Sequence, residues 1–170
     1  IKKIVRCVDL MLTLLPFESD FYRQHQVPVR FVGHPLADQY PLQPDTSGAR
    51  RALGLQMDTP TLTLMPGSRG SEVDMMAQLF MQVVARVRED ISNLQVLVPA
   101  ANAARYRQLT ALLGSFNLAE VRLLEQQSKL AMEASDVVLL TSGTTALEAM
   151  LLKKPMVVSY RLGALTYKIV

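Results

Sequence analysis

The feature that most constrains the fold is a repeated alternation of short apolar runs with longer amphipathic segments. The apolar runs lie at 61–65, 94–98, 121–124, 137–140 and 156–158. Runs that are apolar at consecutive positions are typical of strands buried on both faces of a sheet. Strands that alternate with helices indicate a parallel sheet with right-handed crossovers. The sequence therefore predicts an α/β domain, a Rossmann-like parallel sheet flanked by helices.

The amphipathic segments between these runs predict helices at 71–90, 102–113, 128–133 and 144–152. The first is the clearest, because its apolar residues recur every three or four positions and form one helix face. That face comprises Val73, Met76, Ala77, Phe80, Val83, Val84 and Val87. Ser71 followed by Asp74 predicts the start of this helix, with an acidic residue in its first turn.

A segment rich in proline and glycine, 33–45, precedes this domain and predicts a linker. Upstream of it, 9–15 and 29–32 predict strands around a helix near 17–25. A stretch this short cannot build its own core. We therefore expect 1–32 to be the tail end of an N-terminal domain and 46–170 to be a second domain. Because both ends fall within such patterns, we expect a fragment truncated at both ends.

Composition and charge narrow the function classes. Lys and Arg number 18 against 15 Asp and Glu, and the basic residues occur mainly as scattered pairs without interleaved aromatics. This argues against a nucleic-acid interface, which needs a contiguous basic stripe, and favours solvated helix ends. The single cysteine, Cys7, excludes an internal disulfide and suits a reducing compartment, and we expect it to be a small buried hydrophobe. No apolar run approaches the length of a membrane span.

The first candidate binding feature is the junction 65–72, where a buried strand, a glycine-rich turn and a long helix follow one another. The first N–H groups of a helix lack intrahelical partners and attract anions. Gly67 and Gly70 allow close backbone approach, and Arg69 offers a charged fork suited to phosphate. Alternatively, the glycines only permit a tight turn and Arg69 is solvated. Neither a Walker motif nor G-x-G-x-x-G is present.

The second candidate feature is the junction 141–148, which also follows an apolar strand and opens a helix. Its polar start comprises Ser142, Gly143, Thr144 and Thr145. Glu148, one helical turn further on, can accept hydrogen bonds from a ribose diol. Alternatively, Ser142 or Thr144 is only an N-cap and Glu148 its capping partner. Both junctions fall at carboxyl ends of parallel strands, where open α/β sheets bind ligands, so we expect them to share a diphosphate.

Four strings together resemble the lipid-A-disaccharide synthase family: LPFESDFY (15–22), FVGHPLAD (31–38), LMPGSRGSEV (64–73) and SDVVLLTSGTTALEAMLLKKPMVVSYR (135–161). The SGTTALE segment alone resembles a wider set of UDP-sugar enzymes, including UDP-N-acetylglucosamine 2-epimerase. The resemblance implies one half of a two-domain GT-B glycosyltransferase. It implies transfer of 2,3-diacylglucosamine from its UDP derivative to 2,3-diacylglucosamine 1-phosphate, in the cytoplasm and peripherally at the inner membrane.

Carried over by resemblance, Gly67, Ser68 and Arg69 face the pyrophosphate and Arg69 stabilises the leaving group. Ser142, Gly143, Thr144 and Thr145 line the second phosphate-binding terminus, Glu148 holds the ribose, and Glu125 and Gln126 lie near the uracil. No cluster of metal-ligand spacing occurs, so we expect no metal and no cofactor besides the UDP-sugar substrate. The family's general base belongs to the N-terminal domain, so this chain alone should bind without catalysing.

Alternatives are a related UDP-sugar enzyme, such as the 2-epimerase, and a non-catalytic nucleotide-binding module. The GSRGSEV and FVGHPLAD strings weigh against the 2-epimerase. His34 at the expected hinge could reach a cleft between domains, although backbone geometry and packing explain it better. Arg161, after the last strand, is either an anion contact or solvated.

Overall fold

The computed structural model describes residues 1–114, 116 and 121–161. The chain divides into two compact units, Ile1–Pro41 and Leu42–Val170. The division falls inside the segment 33–45, whose role as an inter-domain linker stays a prediction. The last residues, where truncation was expected, lie outside the described part of the chain.

The first unit contains two short parallel strands and two helices. Their bounds are α1 (Lys2–Cys7), β1 (Met11–Thr13), α2 (Glu18–Gln24) and β2 (Val29–Phe31), followed by a 3-10 helix (Pro35–Gln39). The elements β1, α2 and β2 lie within the predicted segments. His34 caps the 3-10 helix, since its Nδ1 accepts a hydrogen bond from the N–H of Leu36 (3.1 Å). This contact accounts for His34 through local backbone geometry.

The expectation that Cys7 is buried is wrong. Cys7 is exposed and lies in the last turn of α1, a helix that the sequence pattern did not predict. No residue of α1 is buried. Within the described residues, this helix therefore offers no apolar interior in which a small thiol could be enclosed.

The second unit is a five-stranded parallel sheet with the order β5-β4-β3-β6-β7. Its strands are β3 (Thr61–Met65), β4 (Gln95–Ala100), β5 (Val121–Glu125), β6 (Val137–Thr141) and β7 (Met156–Ser159). Its helices are α3 (Thr46–Ala52), α4 (Gly70–Asp90), α5 (Ala103–Leu113), α6 (Ser128–Ala134) and α7 (Thr144–Leu151). The predicted α/β class and the parallel pairing are confirmed.

The main core forms where α4 packs against the sheet. Val73, Met76, Phe80 and Val84 of α4 are at most 1% exposed and join buried residues of β3 and β4 in one cluster. Val83 is an exception to the predicted apolar face, since it is 38% exposed. It lies on the flank of α4 that borders an open groove over β6 and β7. In the described part of the chain, nothing covers that flank.

Arg50 is an exception to the expectation that the basic pairs are solvated. Its side chain is almost fully buried and ties α3 to the start of β6. Nε donates to the carbonyl oxygen of Ala134 (3.0 Å), and Nη2 pairs with Asp136 Oδ2 (2.7 Å). Burial of a guanidinium is tolerated because its donors are paired in this way. Its neighbour Arg51 is exposed, as expected.

The strand order places a change of direction between β3 and β6. From β3 the chain moves outward through β4 to β5, then crosses back over the sheet to form β6 on the other side of β3. β3 and β6 pair in parallel, with Met65 opposite Leu140. A crevice outside the carboxyl ends of two such strands is where open α/β sheets bind ligands.

None of the helices in the described ranges has the length and apolar character that a membrane crossing requires.

Candidate functional site

A cavity of about 360 Å³ opens at the carboxyl ends of β3 and β6. Eight of the predicted site residues line it together: Gly67, Ser68, Arg69, Ser142, Gly143, Thr144, Thr145 and Glu148. Thr141 Oγ1 donates to the carbonyl oxygen of Met65 (3.3 Å) and joins the ends of the two strands directly. The turns after β3 and after β6 therefore face one common space, as the sequence predicted.

Two predicted residues do not line this cavity. Glu125 ends β5, the edge strand that β4 separates from β3, and Gln126 follows it. Gln126 adopts a left-handed conformation (φ 53°), and its N–H donates to the carbonyl oxygen of Ala100 (2.9 Å). Both residues share the carboxyl edge of the sheet with the cavity, and their place near a uracil stays a prediction. Arg161 is exposed beyond β7 and also lies outside the lining.

The first junction is organised by Glu72, to which the sequence analysis gave no role. Glu72 Oε2 accepts hydrogen bonds from the N–H groups of Ser68 (3.1 Å) and Arg69 (3.2 Å). Its Oε1 accepts from Arg69 Nη1 (2.9 Å). The Glu72 side chain is only 13% exposed, whereas that of Arg69 is 79% exposed. The carboxylate thus lies inside the turn and holds the guanidinium at its surface.

This arrangement corrects the predicted start of α4. The helix begins at Gly70 with Arg69 as N-cap, and Glu72, rather than Asp74, is the acidic residue of its first turn. A carboxylate at the third helical position can reach back to the N-cap N–H, which a residue further along cannot do. Asp74 instead accepts a hydrogen bond from the side-chain amide of Gln108 on α5.

Gly67 is required by both conformation and space. Its φ of +116° is one that side chains disfavour. A Cβ at this position would lie 2.6 Å from Glu72 Cβ and 2.7 Å from Glu72 Oε2. The glycine therefore lets the carboxylate pass beneath the turn to reach the two N–H groups.

The charge of Glu72 follows from these contacts. Burial alone would raise the pKa of the Glu72 carboxyl, but the N–H groups of Arg69 and Ser68 and the Arg69 guanidinium outweigh it. The pKa of Glu72 is consequently lowered from its ordinary value. At neutral pH the first junction carries a carboxylate and a guanidinium side by side.

At the second junction, the first N–H groups of α7 have no acceptor among the residues that the structure describes. Helix α7 has Gly143 as N-cap and no side-chain cap. Among the described residues, no atom accepts a hydrogen bond from the N–H of Gly143, Thr144 or Thr145. The alternative of a Ser142 or Thr144 cap is therefore not what the structure has. Unpaired N–H groups at a helix N-terminus are a ready anion site.

Glu148 lines the same cavity one turn into α7. It is half-buried, and no described residue donates a hydrogen bond to its carboxylate. A carboxylate placed in this way is available to hydroxyl donors of a ligand.

In the described ranges no three His, Cys, Asp or Glu side chains group as a metal site would require. A metal-independent site remains a prediction.

Six further lining residues were given no role by the sequence analysis, although Met65, Glu72 and Thr141 lie within its two junctions. They are Met65, Glu72, Pro99, Ala101, Ser128 and Thr141. Pro99 lies near the end of β4, Ala101 directly follows that strand, and Ser128 begins α6. Only Glu72 left a usable signal in the sequence, since it follows the N-cap by the three positions of a capping box.

Comparison with known proteins identifies the family of this chain. The family model "Lipid-A-disaccharide synthetase" matches residues 1–170. The chain belongs to the lipid-A-disaccharide synthetase family. It is 52% identical over 170 residues to the lipid-A-disaccharide synthase of Alcanivorax borkumensis, covering 100% of this chain and 44% of that protein. It is 51% identical over 168 residues to that of Chromohalobacter salexigens, covering 98% and 44%.

Membership of the lipid-A-disaccharide synthetase family confirms the prediction made from the four strings. The chain spans 44% of the length of these two curated relatives. Among solved structures, it is similar to a mutant of S. aureus TarM in complex with Fondaparinux, α-GlcNAc-glycerol and UDP. That similarity has a TM-score of 0.49 at 15% identity and covers 91% of this chain and 30% of TarM.

Proposed function

We propose that the complete protein is an inverting glycosyltransferase acting in lipid A synthesis. It transfers 2,3-diacylglucosamine from UDP-2,3-diacylglucosamine to 2,3-diacylglucosamine 1-phosphate, and releases UDP and the lipid A disaccharide. The second unit of this chain supplies the UDP-binding half. One observation carries the proposal: two helix N-termini, Arg69 and Glu148 line one cavity at the carboxyl edge of the sheet.

The donor's diphosphate binds between the two helix N-termini. The N–H groups of Gly143, Thr144 and Thr145, which have no acceptor within the described ranges, donate to phosphate oxygens, together with the Ser142 hydroxyl. From the opposite side, the turn of Gly67 and Ser68 presents the exposed guanidinium of Arg69. Planar guanidinium groups bind phosphate oxygens in pairs, so Arg69 adds orientation as well as charge.

The nucleoside extends along the same edge of the sheet. Glu148, half-buried and without a described donor, accepts hydrogen bonds from the ribose hydroxyls. The turn at Glu125 and Gln126 contacts the uracil, mainly through its backbone.

The reaction needs stabilisation of a departing UDP more than it needs a protein nucleophile. Fixed donors placed where negative charge develops lower the barrier, because they need no reorganisation as the bond breaks. The helix N-termini and Arg69 supply such donors in this chain. The general base for the acceptor 6-hydroxyl belongs to the N-terminal domain of the two-domain GT-B enzyme. The enzyme works without a metal, in the cytoplasm and peripherally at the inner membrane.

The test is an assay of the complete protein with both lipid substrates. We expect mass spectrometry to detect the disaccharide 1-phosphate, with one UDP released for each disaccharide formed. The 170-residue chain alone should bind UDP and form no product. Conversion of UDP-N-acetylglucosamine to its 2-epimer without an acceptor would instead identify an epimerase. UDP binding without any turnover by the complete protein would identify a non-catalytic module.

A further inference from the structure

The hydrogen-bond donors of the first junction already have an anionic partner, which is a side chain of the same chain. Glu72 occupies the N–H groups of Ser68 and Arg69 and one nitrogen of the Arg69 guanidinium. These are groups that a phosphate at this turn would use. The Glu72 side chain lines the cavity, so its carboxylate and a bound phosphate would face the same space.

An ionised carboxylate in this position opposes a bound diphosphate in two ways. It repels the phosphate charges directly, and this repulsion is screened little in a partly enclosed cavity. It also holds Arg69, whose long side chain is otherwise exposed and free to turn toward a ligand. A residue with this geometry lowers affinity for the anion even though it shapes the turn that binds it.

We propose that the Glu72 carboxylate competes with the donor diphosphate for the N–H groups of Ser68 and Arg69 and for the Arg69 guanidinium. Glu72 therefore sets how tightly the site holds UDP. This inference rests on the proposed function of the cavity as a UDP site. It assigns Glu72 a role in ligand affinity in addition to its role in capping α4. A loosely held UDP suits an enzyme that must release UDP after each transfer.

The test compares Glu72→Gln with the unmodified chain by calorimetric titration of UDP. Gln has nearly the same shape and keeps an amide oxygen for the two N–H groups, but it carries no charge. The matched control is Glu89→Gln, which removes a carboxylate from the same helix. Glu89 pairs with Arg86 at the same spacing, is 59% exposed and does not line the cavity. Melting curves first define a temperature at which all three proteins are folded.

We expect Glu72→Gln to bind UDP about tenfold more tightly, while Glu89→Gln leaves the affinity unchanged. Equal or weaker binding by Glu72→Gln, with UDP still bound by the unmodified chain, would overturn this inference alone. Absence of UDP binding by both proteins would overturn the proposed function and this inference with it.

A second measurement needs no substitution and holds if Glu72→Gln does not fold. In the isotope-labelled chain, NMR follows the Glu72 side-chain carboxyl carbon and the amides of Ser68 and Arg69 during a UDP titration. Competition predicts that all three resonances shift, because these amides exchange a carboxylate acceptor for a phosphate. Resonances that stay in place while UDP saturates the site would show that Glu72 keeps its partners, and would overturn the inference.

Discussion

The Arg69 side chain donates a hydrogen bond to Glu72 and also lines the cavity. Among the described residues that line the cavity, it is the only cation, and its side chain is mostly exposed. One of its nitrogens donates to Glu72, and within the described part of the chain its other side-chain donors have no acceptor and can contact a ligand. A phosphate that enters the cavity therefore meets a guanidinium that Glu72 holds through one nitrogen.

Arg69→Ala should weaken UDP binding by about tenfold or more, because a hydrogen bond to a charged group contributes roughly 1.5–3 kcal/mol. Calorimetric titration of UDP into both proteins measures the difference. Arg86→Ala is the control, since Arg86 forms a similar pair with Glu89 on the same helix outside the cavity. Equal affinities for Arg69→Ala and Arg86→Ala would remove Arg69 from the binding site.

Glu148→Ala tests the assignment of the ribose. The unmodified chain should bind UDP about tenfold more tightly than 2′,3′-dideoxy-UDP, because the diol donates to a charged acceptor. In Glu148→Ala the two ligands should bind with similar, weaker affinity. If this variant still prefers UDP by the same factor, the ribose hydroxyls have another partner.

At the scale of elements, the sequence predicted the helices and strands that have clear periodicity. All five strands of the sheet and the helices α4 to α7 lie close to their predicted positions. The short helices α1 and α3 were missed because neither presents a long apolar stripe. α3 is instead held by the buried guanidinium of Arg50, a contact with Ala134 and Asp136 that no local pattern reveals.

The residue that caps the start of α4 also could not be predicted from local sequence patterns alone. The sequence offered two acidic residues near the helix start, Glu72 and Asp74, and the spacing from Ser71 favoured Asp74. The conformation of Gly67 decides in favour of Glu72, because it opens the space through which this carboxylate reaches the turn. Backbone conformation of this kind is fixed by the folded structure and not by side-chain periodicity.

Gly67→Ala should therefore destabilise the turn. The added Cβ meets Glu72, and the turn's φ of +116° is unfavourable for alanine, so we expect a loss of about 1–3 kcal/mol in the free energy of unfolding and weaker UDP binding. Urea denaturation measures the first effect. The control is Gly114→Ala at the end of α5, where φ is −60° and the added Cβ would meet backbone oxygens only at 3.5 Å and beyond. If both variants unfold at the same urea concentration, Gly67 is dispensable.

At the scale of the molecule, the order of the strands creates the site. The sequence predicted a parallel sheet in which both junctions meet over one crevice, but no pattern in it gives the full order of the strands. The crossover from β5 through α6 to β6 places β6 beside β3 and brings Thr141 into contact with Met65. This pairing joins segments far apart in the chain, and long-range packing determines it.

The most direct test of this arrangement compares UDP with UMP in the 170-residue chain. Two helix N-termini over one cavity provide donors for two phosphates, whereas one terminus would serve a single phosphate. Calorimetric titration, after a melting curve has shown that the chain is folded, should give binding of UDP at least about tenfold tighter than that of UMP. Equal affinities for UDP and UMP would contradict a diphosphate held between the two junctions.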